Sequence, residues 1–219
     1  MYNLYMDEIT HRIAVIHKIL DQECPEKIMF LQFKAPLELV IGVILSAQTT
    51  DKQVNAVLPT RFKRGPTAES MSSAPIPELE SIIRSTGFYH NKAKNIKAAT
   101  GIIHHSFDDE IPEDMDTLLS LPGIGRKSAN VIRGALFNKP AVIVDTHFSR
   151  VVQRVGVTTE KTPEKIERDI QSKLPDEDTY RFSMTVNYHG RYVCTARKPS
   201  CSECVIEHLC EFSGKVFNS

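Results

Sequence analysis

The sequence predicts an all-α protein. Apolar residues recur at helical spacing at Ile9, Ile13, Ile16 and Leu20, and again at Ile166, Ile170 and Leu174. Prolines and capping residues open one such segment after another. No stretch alternates with a period of two for long enough to make a strand, and Val142 to Val144 is too short to change that reading.

Taken in order, the first helix carries the stripe from Ile9 to Leu20. Pro36 stands in the first turn of the next, and Leu37 to Ala47 is apolar nearly all round, which places that helix at the centre of a core. Thr50 and Gln53 have the spacing of a capping box and open a helix through Val54 and Leu58. Further starts fall at Pro77, near Asp116, at Arg126, at Asp145 and at Pro163. A helix has to stop at Asn138-Lys139-Pro140, a candidate domain boundary. A chain of 219 residues makes one large domain or two small ones, so two helical lobes with short connections are expected.

With 41% hydrophobic residues, 25% charged, 10 Gly and 12 Pro, the composition excludes disordered and collagen-like classes. The longest apolar run, Leu39 to Leu45, falls far short of the roughly 18 residues of a membrane span. The opening Met-Tyr-Asn-Leu-Tyr-Met-Asp-Glu lacks the basic region of an export signal, so the protein is expected to stay where it is made, with no membrane partner.

Charge balances at 27 against 27, but unevenly along the chain. Leu121 to Val155 holds six bases, Arg126, Lys127, Arg133, Lys139, Arg150 and Arg154, against the single acid Asp145. Asp108 to Asp116 holds six acids and no base. A neutral chain of this kind can present a basic face to a polyanion.

Four cysteines, Cys194, Cys201, Cys204 and Cys210, form C-x6-C-x2-C-x5-C near the carboxyl end. In a reducing compartment this array is a metal site before it is a set of disulfides. One tight pair with wider flanking gaps suits an iron-sulfur cluster or zinc, and spacing leaves both open. Arg197 and Lys198 lie on the loop between the first two ligands, where they can meet a phosphate. Cys24 stands apart and is expected to be a buried apolar thiol.

Leu121-Pro122-Gly123-Ile124-Gly125 separates a short apolar helix from one beginning near Arg126. Two glycines across a tight turn permit positive φ and leave backbone N–H groups uncovered beside a helix N-terminus, which together make an anion site. A turn with two glycines is also ordinary punctuation between helices. Lys127 falls in the first turn of the new helix, where the dipole favours a neutral, nucleophilic amine. Asp145 follows Val142-Ile143-Val144 and can cap the next helix. A neutral amine and a stable carboxylate are the parts needed to attack a carbon that develops positive charge.

LPGIGRKSANVI, VDTHFSRVVQRVG and HGRYVC, followed by the cysteine array, resemble endonuclease III, the DNA glycosylase and lyase family of base-excision repair. The likeness runs from the SAQTTD segment, Ser46 to Asp51, to Cys210. It implies that Lys127 displaces a damaged base and forms a Schiff base, that Asp145 assists, and that Cys194, Cys201, Cys204 and Cys210 hold a four-iron, four-sulfur (4Fe-4S) cluster. It implies a six-helix barrel lobe over 29–140 with the helix-hairpin-helix motif, and a second lobe from 1–28 and 141–219. Duplex DNA with a damaged base or abasic site is the implied partner of a single chain in a bacterial or archaeal cytoplasm. Leu121, Gly123, Gly125, Arg126, His147, Arg197 and Lys198 are its expected DNA contacts. Gln48 of the SAQ segment and Phe88, where the family usually has leucine, are the residues expected to fill the gap left by a flipped base. Tyr89 is the alternative to Phe88, with Phe88 then in a core. Mismatch glycosylases of the same fold lack the hairpin lysine, so Lys127 favours a glycosylase with lyase activity over a monofunctional one. A noncatalytic DNA-binding protein and an electron-transfer protein are the readings from other classes.

Overall fold

The computed structural model describes residues 2–61 and 67–217 and contains helices but no strand among them. The chain forms two compact units, one of Met29–Phe137 and one that joins Met1–Ile28 to Asn138–Ser219.

The unit of Met29–Phe137 is built around α2 (Pro36–Leu45), which buries eight of its residues. A helix apolar on every side can only be central, and α2 packs against α3 (Asp51–Arg61), α6 (Tyr89–Phe107) and α8 (Arg126–Phe137). Two short helices, α4 (Ala68–Ser73) and α5 (Ile76–Ile83), cover α6, and α7 (Met115–Ser120) leads into α8. The helix opening at Thr50 has only half of its expected capping box. Thr50 Oγ1 accepts from the Gln53 N–H at 3.3 Å, but the Gln53 side chain reaches away to Ser85 Oγ at 2.7 Å. A complete box, Thr67 with Ser70, starts α4 instead.

In the other unit, α1 (Tyr2–Glu23) lays Ile13, Ile16 and Leu20 into a core shared with α9 (Thr146–Arg154), α10 (Pro163–Gln171) and α11 (Asp176–Tyr192). Phe148 and Phe182 meet edge to face at its centre, 6.0 Å apart. The buried, extended segment Ala141–Val144 has partners on α11 in place of a sheet. Ala141 N–H donates to Thr179 Oγ1 at 3.1 Å, and Asn187 Nδ2 donates to the Ile143 carbonyl at 3.2 Å. Thr179 and Asn187, two of the buried polar residues of α11, are accounted for by these bonds.

Candidate active site and cluster site

The Leu121–Gly125 hairpin needs one of its glycines for conformation. Gly123 has φ +86°, and a Cβ there would come within 3.0 Å of Asn95 Nδ2 and 3.2 Å of Ile44. Gly125 keeps a negative φ and faces open space, so what it offers is uncovered backbone. Ile124 N–H closes the turn onto the Leu121 carbonyl at 3.0 Å, and Ala129 N–H donates to Gly125 O at 2.9 Å as α8 begins. Leu121 is 1% exposed, which makes its side chain part of the core and no part of a binding surface. Arg126 and Lys127 are exposed in the first turn of α8, beside N–H groups that a helix leaves without internal partners.

Asp145 is the N-cap of α9. Its Oδ1 accepts from the N–H groups of His147 at 2.8 Å and Phe148 at 2.9 Å, while Oδ2 lies 3.9 Å from the Arg191 guanidinium. Its side chain keeps only 11% of its surface, so the carboxylate is held in place and reached from one side. Arg191, at the end of α11, escaped the sequence reading although it sits inside HGRYVC, because a partner 46 positions upstream leaves no local signal. Gly190 lets α11 approach α9: a Cβ would lie 3.0 Å from His147 Cβ and 3.1 Å from its carbonyl oxygen. His147 is thus half-buried, its Nδ1 3.2 Å from Arg150 Nη2.

The four cysteines, none in a disulfide, line one cavity that also touches Arg154 and His189. Burial pushes the Cys204 thiol up to about 11, with the other three cysteines adding to the rise, and burial likewise raises Cys210. Thiols held neutral by burial, as at Cys204 and Cys210, are suited to a positively charged inorganic core, which would favour their thiolates. Among the described residues no three ligating side chains converge closely enough to hold a single metal ion. Two of the six bases of Leu121–Val155 serve this loop and not a DNA-facing surface. Arg150 donates to the carbonyls of Cys194 at 3.0 Å and Gly190 at 2.7 Å. Arg154 donates to Cys194 Sγ at 3.3 Å and to the carbonyls of Thr195 and Ala196, with its guanidinium 4.3 Å from the Phe212 ring centre. Arg197 and Lys198 remain exposed on the loop they shape. Cys24 is half-buried, short of full burial, and burial raises its thiol.

Gln48 and Phe88 are both exposed and both left-handed, at φ +53° and +48°. Phe88 is 64% exposed, while Tyr89 packs against the core, so the bland reading of Phe88 as a core residue fails.

Residues 41–176 match the HhH-GPD superfamily of base excision DNA repair proteins, and residues 194–210 match the iron-sulfur binding domain of endonuclease III. Endonuclease III of Synechocystis sp. is 45% identical over 91% of each chain. The chain belongs to the endonuclease III family. The structure of a non-covalent endonuclease III–DNA complex superposes with a TM-score of 0.86 at 36% identity, covering 92% of this chain and 94% of that one. A trapped endonuclease III–DNA covalent intermediate aligns with the same score and identity, covering 92% and 95%. Membership brings a 4Fe-4S cluster as cofactor. No described helix is long and apolar enough to cross a membrane.

Proposed function

We propose that the chain is a bifunctional DNA glycosylase and abasic-site lyase that removes oxidised pyrimidines from duplex DNA. The observation that carries this reading is Lys127, exposed in the first turn of α8 behind a glycine hairpin with open backbone, in a family that includes a trapped covalent DNA intermediate.

The hairpin and α8 N-terminus bind backbone phosphate, and the damaged nucleotide leaves the stack at an unstacking cost of a few kcal/mol. The Lys127 amine attacks C1′ while the bond from C1′ to the base breaks, and the base departs with a proton. Asp145, fixed by two N–H groups and Arg191, stabilises the positive charge that develops on the sugar. The sugar ring then opens to an imine at C1′. Loss of a C2′ proton expels the 3′ phosphate and cuts the strand on the 3′ side. Gln48 and Phe88 fill the vacated position in the stack. Cys194, Cys201, Cys204 and Cys210 would hold the cluster, which when bound supplies a four-point cross-link that orders the Arg197–Lys198 loop against DNA phosphate.

The test is borohydride trapping on a duplex with one thymine glycol. A covalent adduct with the wild-type chain, lost in Lys127→Ala, is expected. Equal trapping by that variant would overturn the assignment of the nucleophile, and strand cleavage with no adduct would overturn the lyase.

A further inference from the structure

Lys92 is a buried cation that the proposed reaction does not use. It lies one turn into α6 with 3% of its surface exposed, and its Nζ donates to Thr49 Oγ1 at 2.6 Å and to the Thr86 carbonyl at 2.8 Å. Thr49 Oγ1 itself donates to the Thr86 carbonyl at 2.5 Å, which closes a triangle of three polar groups. These partners come from two separate segments. Thr49 follows Gln48 in the loop after α2, and Thr86 ends the 3₁₀ turn Arg84–Thr86 that leads into Gly87 and Phe88. The backbone N–H of Lys92 also donates to the Phe88 carbonyl at 3.1 Å. Gln53, in the first turn of α3, adds a bond to Ser85 Oγ of the same 3₁₀ turn at 2.7 Å.

Both loops hold a residue in an unfavourable backbone conformation. Gln48 and Phe88 are left-handed without being glycine, and such strain persists only where surrounding structure over-determines it. Lys92 is well placed to do that. Burial lowers the pKa of its ammonium, and Thr49 Oγ1 and the Thr86 carbonyl are neutral oxygens, so the residue is a costly way to stabilise the fold. A methionine of similar length would fill the space without that cost.

We infer that Lys92 is a positioning residue that clamps the Gln48 loop to the Phe88 loop, so that both side chains enter duplex DNA as one rigid wedge. The inference rests on the wedge role proposed for Gln48 and Phe88. Both side chains are exposed, and the triangle ties together the backbones that carry them. A flexible pair would pay ordering entropy on entering the stack, whereas a clamped pair has paid it on folding.

Lys92→Met and Thr49→Val test it. Thr49 and Thr86 still satisfy each other in Lys92→Met, so its melting temperature is expected to match or exceed that of the wild type. Base release from a paired thymine glycol in single turnover should fall by about 10- to 100-fold, the scale of an ångström of misplacement, while cleavage of an abasic site opposite a gap changes by less than about threefold. Lys92→Arg, which keeps the donors, should recover part of the loss. Thr49→Val should show the same split between substrates, more weakly, and carries the test if Lys92→Met does not fold. Fluorescence of 2-aminopurine opposite the lesion reads unstacking independently of chemistry and should rise less with either variant. Equal losses on paired and gapped substrates, or full unstacking by Lys92→Met, overturn the clamp. Wild-type unstacking without base release would instead overturn the glycosylase and leave the clamp standing.

Discussion

Lys127 and Asp145 both stand at the start of a helix, α8 and α9, and the two helices treat them differently. Lys127 is exposed and its surroundings come from the ten or so residues around it: a hairpin, one left-handed glycine and a helix N-terminus. Asp145 is nearly enclosed, tied to two N–H groups of α9 and facing an arginine that arrives from the far end of α11. The same contrast separates the open hairpin from the cysteine loop, where Arg150 and Arg154 reach 40 or more positions to hold backbone carbonyls. A nucleophile has to be reached by substrate, so its support lies behind it and close in sequence. A carboxylate that stabilises charge has to stay still, and immobility is built from long-range contacts.

The comparison breaks most sharply at Lys127. Lys127→Ala should lower base release by about a thousandfold or more, as removal of a covalent nucleophile does, while affinity for lesion DNA stays within about tenfold because phosphate contacts dominate binding. Stopped-flow release and a binding titration check the two halves. Asp145→Asn comes next. Asparagine caps a helix about as well as aspartate, so melting should hardly move, but base release should fall about a hundredfold. Cleavage of a preformed abasic site should fall less, since no base has to be expelled. Equal losses on the two substrates, with a lowered melting temperature, would make Asp145 a fold residue only.

Smaller effects sharpen the contrast between the two units. Protein isolated without oxygen should hold four iron atoms per chain, in line with its family. Cys201→Ser should lose iron and, by analogy with a lost cross-link, about 2 to 5 kcal/mol of stability, read by denaturant titration. Gly190→Ala forces three contacts near 3 Å on α9 and should cost about 1 to 3 kcal/mol. The two hairpin glycines give the finest test. Gly123→Ala should cost about 1 to 3 kcal/mol through its positive φ. Gly125→Ala should stay within about 0.5 kcal/mol in stability and show itself only as weaker DNA binding, because it covers backbone without straining it.

The hairpin was legible because its signals are local: two glycines, then Arg126 and Lys127 at a helix start, all within seven positions. The helices opened by Pro36, Asp145 and Pro163 were legible for the same reason. Two long helices escaped. α6 starts from a left-handed phenylalanine with no side-chain cap, and α11 buries threonine, serine, asparagine and histidine where a stripe of leucine would have announced it. Two of them, Thr179 and Asn187, serve residues 141–144, a use that appears only once the chain has folded. Charge counting misled in part, because Arg150 and Arg154 turn inward, and composition cannot tell an arginine that meets solvent from one that holds a loop.

The contact of α1 with the chain's last described turns has a consequence for biosynthesis. Arg12 pairs with Glu211 and donates to the Leu209 carbonyl, and these partners leave the ribosome about 200 residues after it does. The unit of Met29–Phe137 has its whole sequence available early and can fold during translation, while α1 waits. The unit of Met1–Ile28 and Asn138–Ser219 closes only when Leu209 and Glu211 have emerged, so loading of its cysteine pocket comes after that. A ribosome stalled at residue 190 would present an intact hairpin on a chain with no place to keep iron.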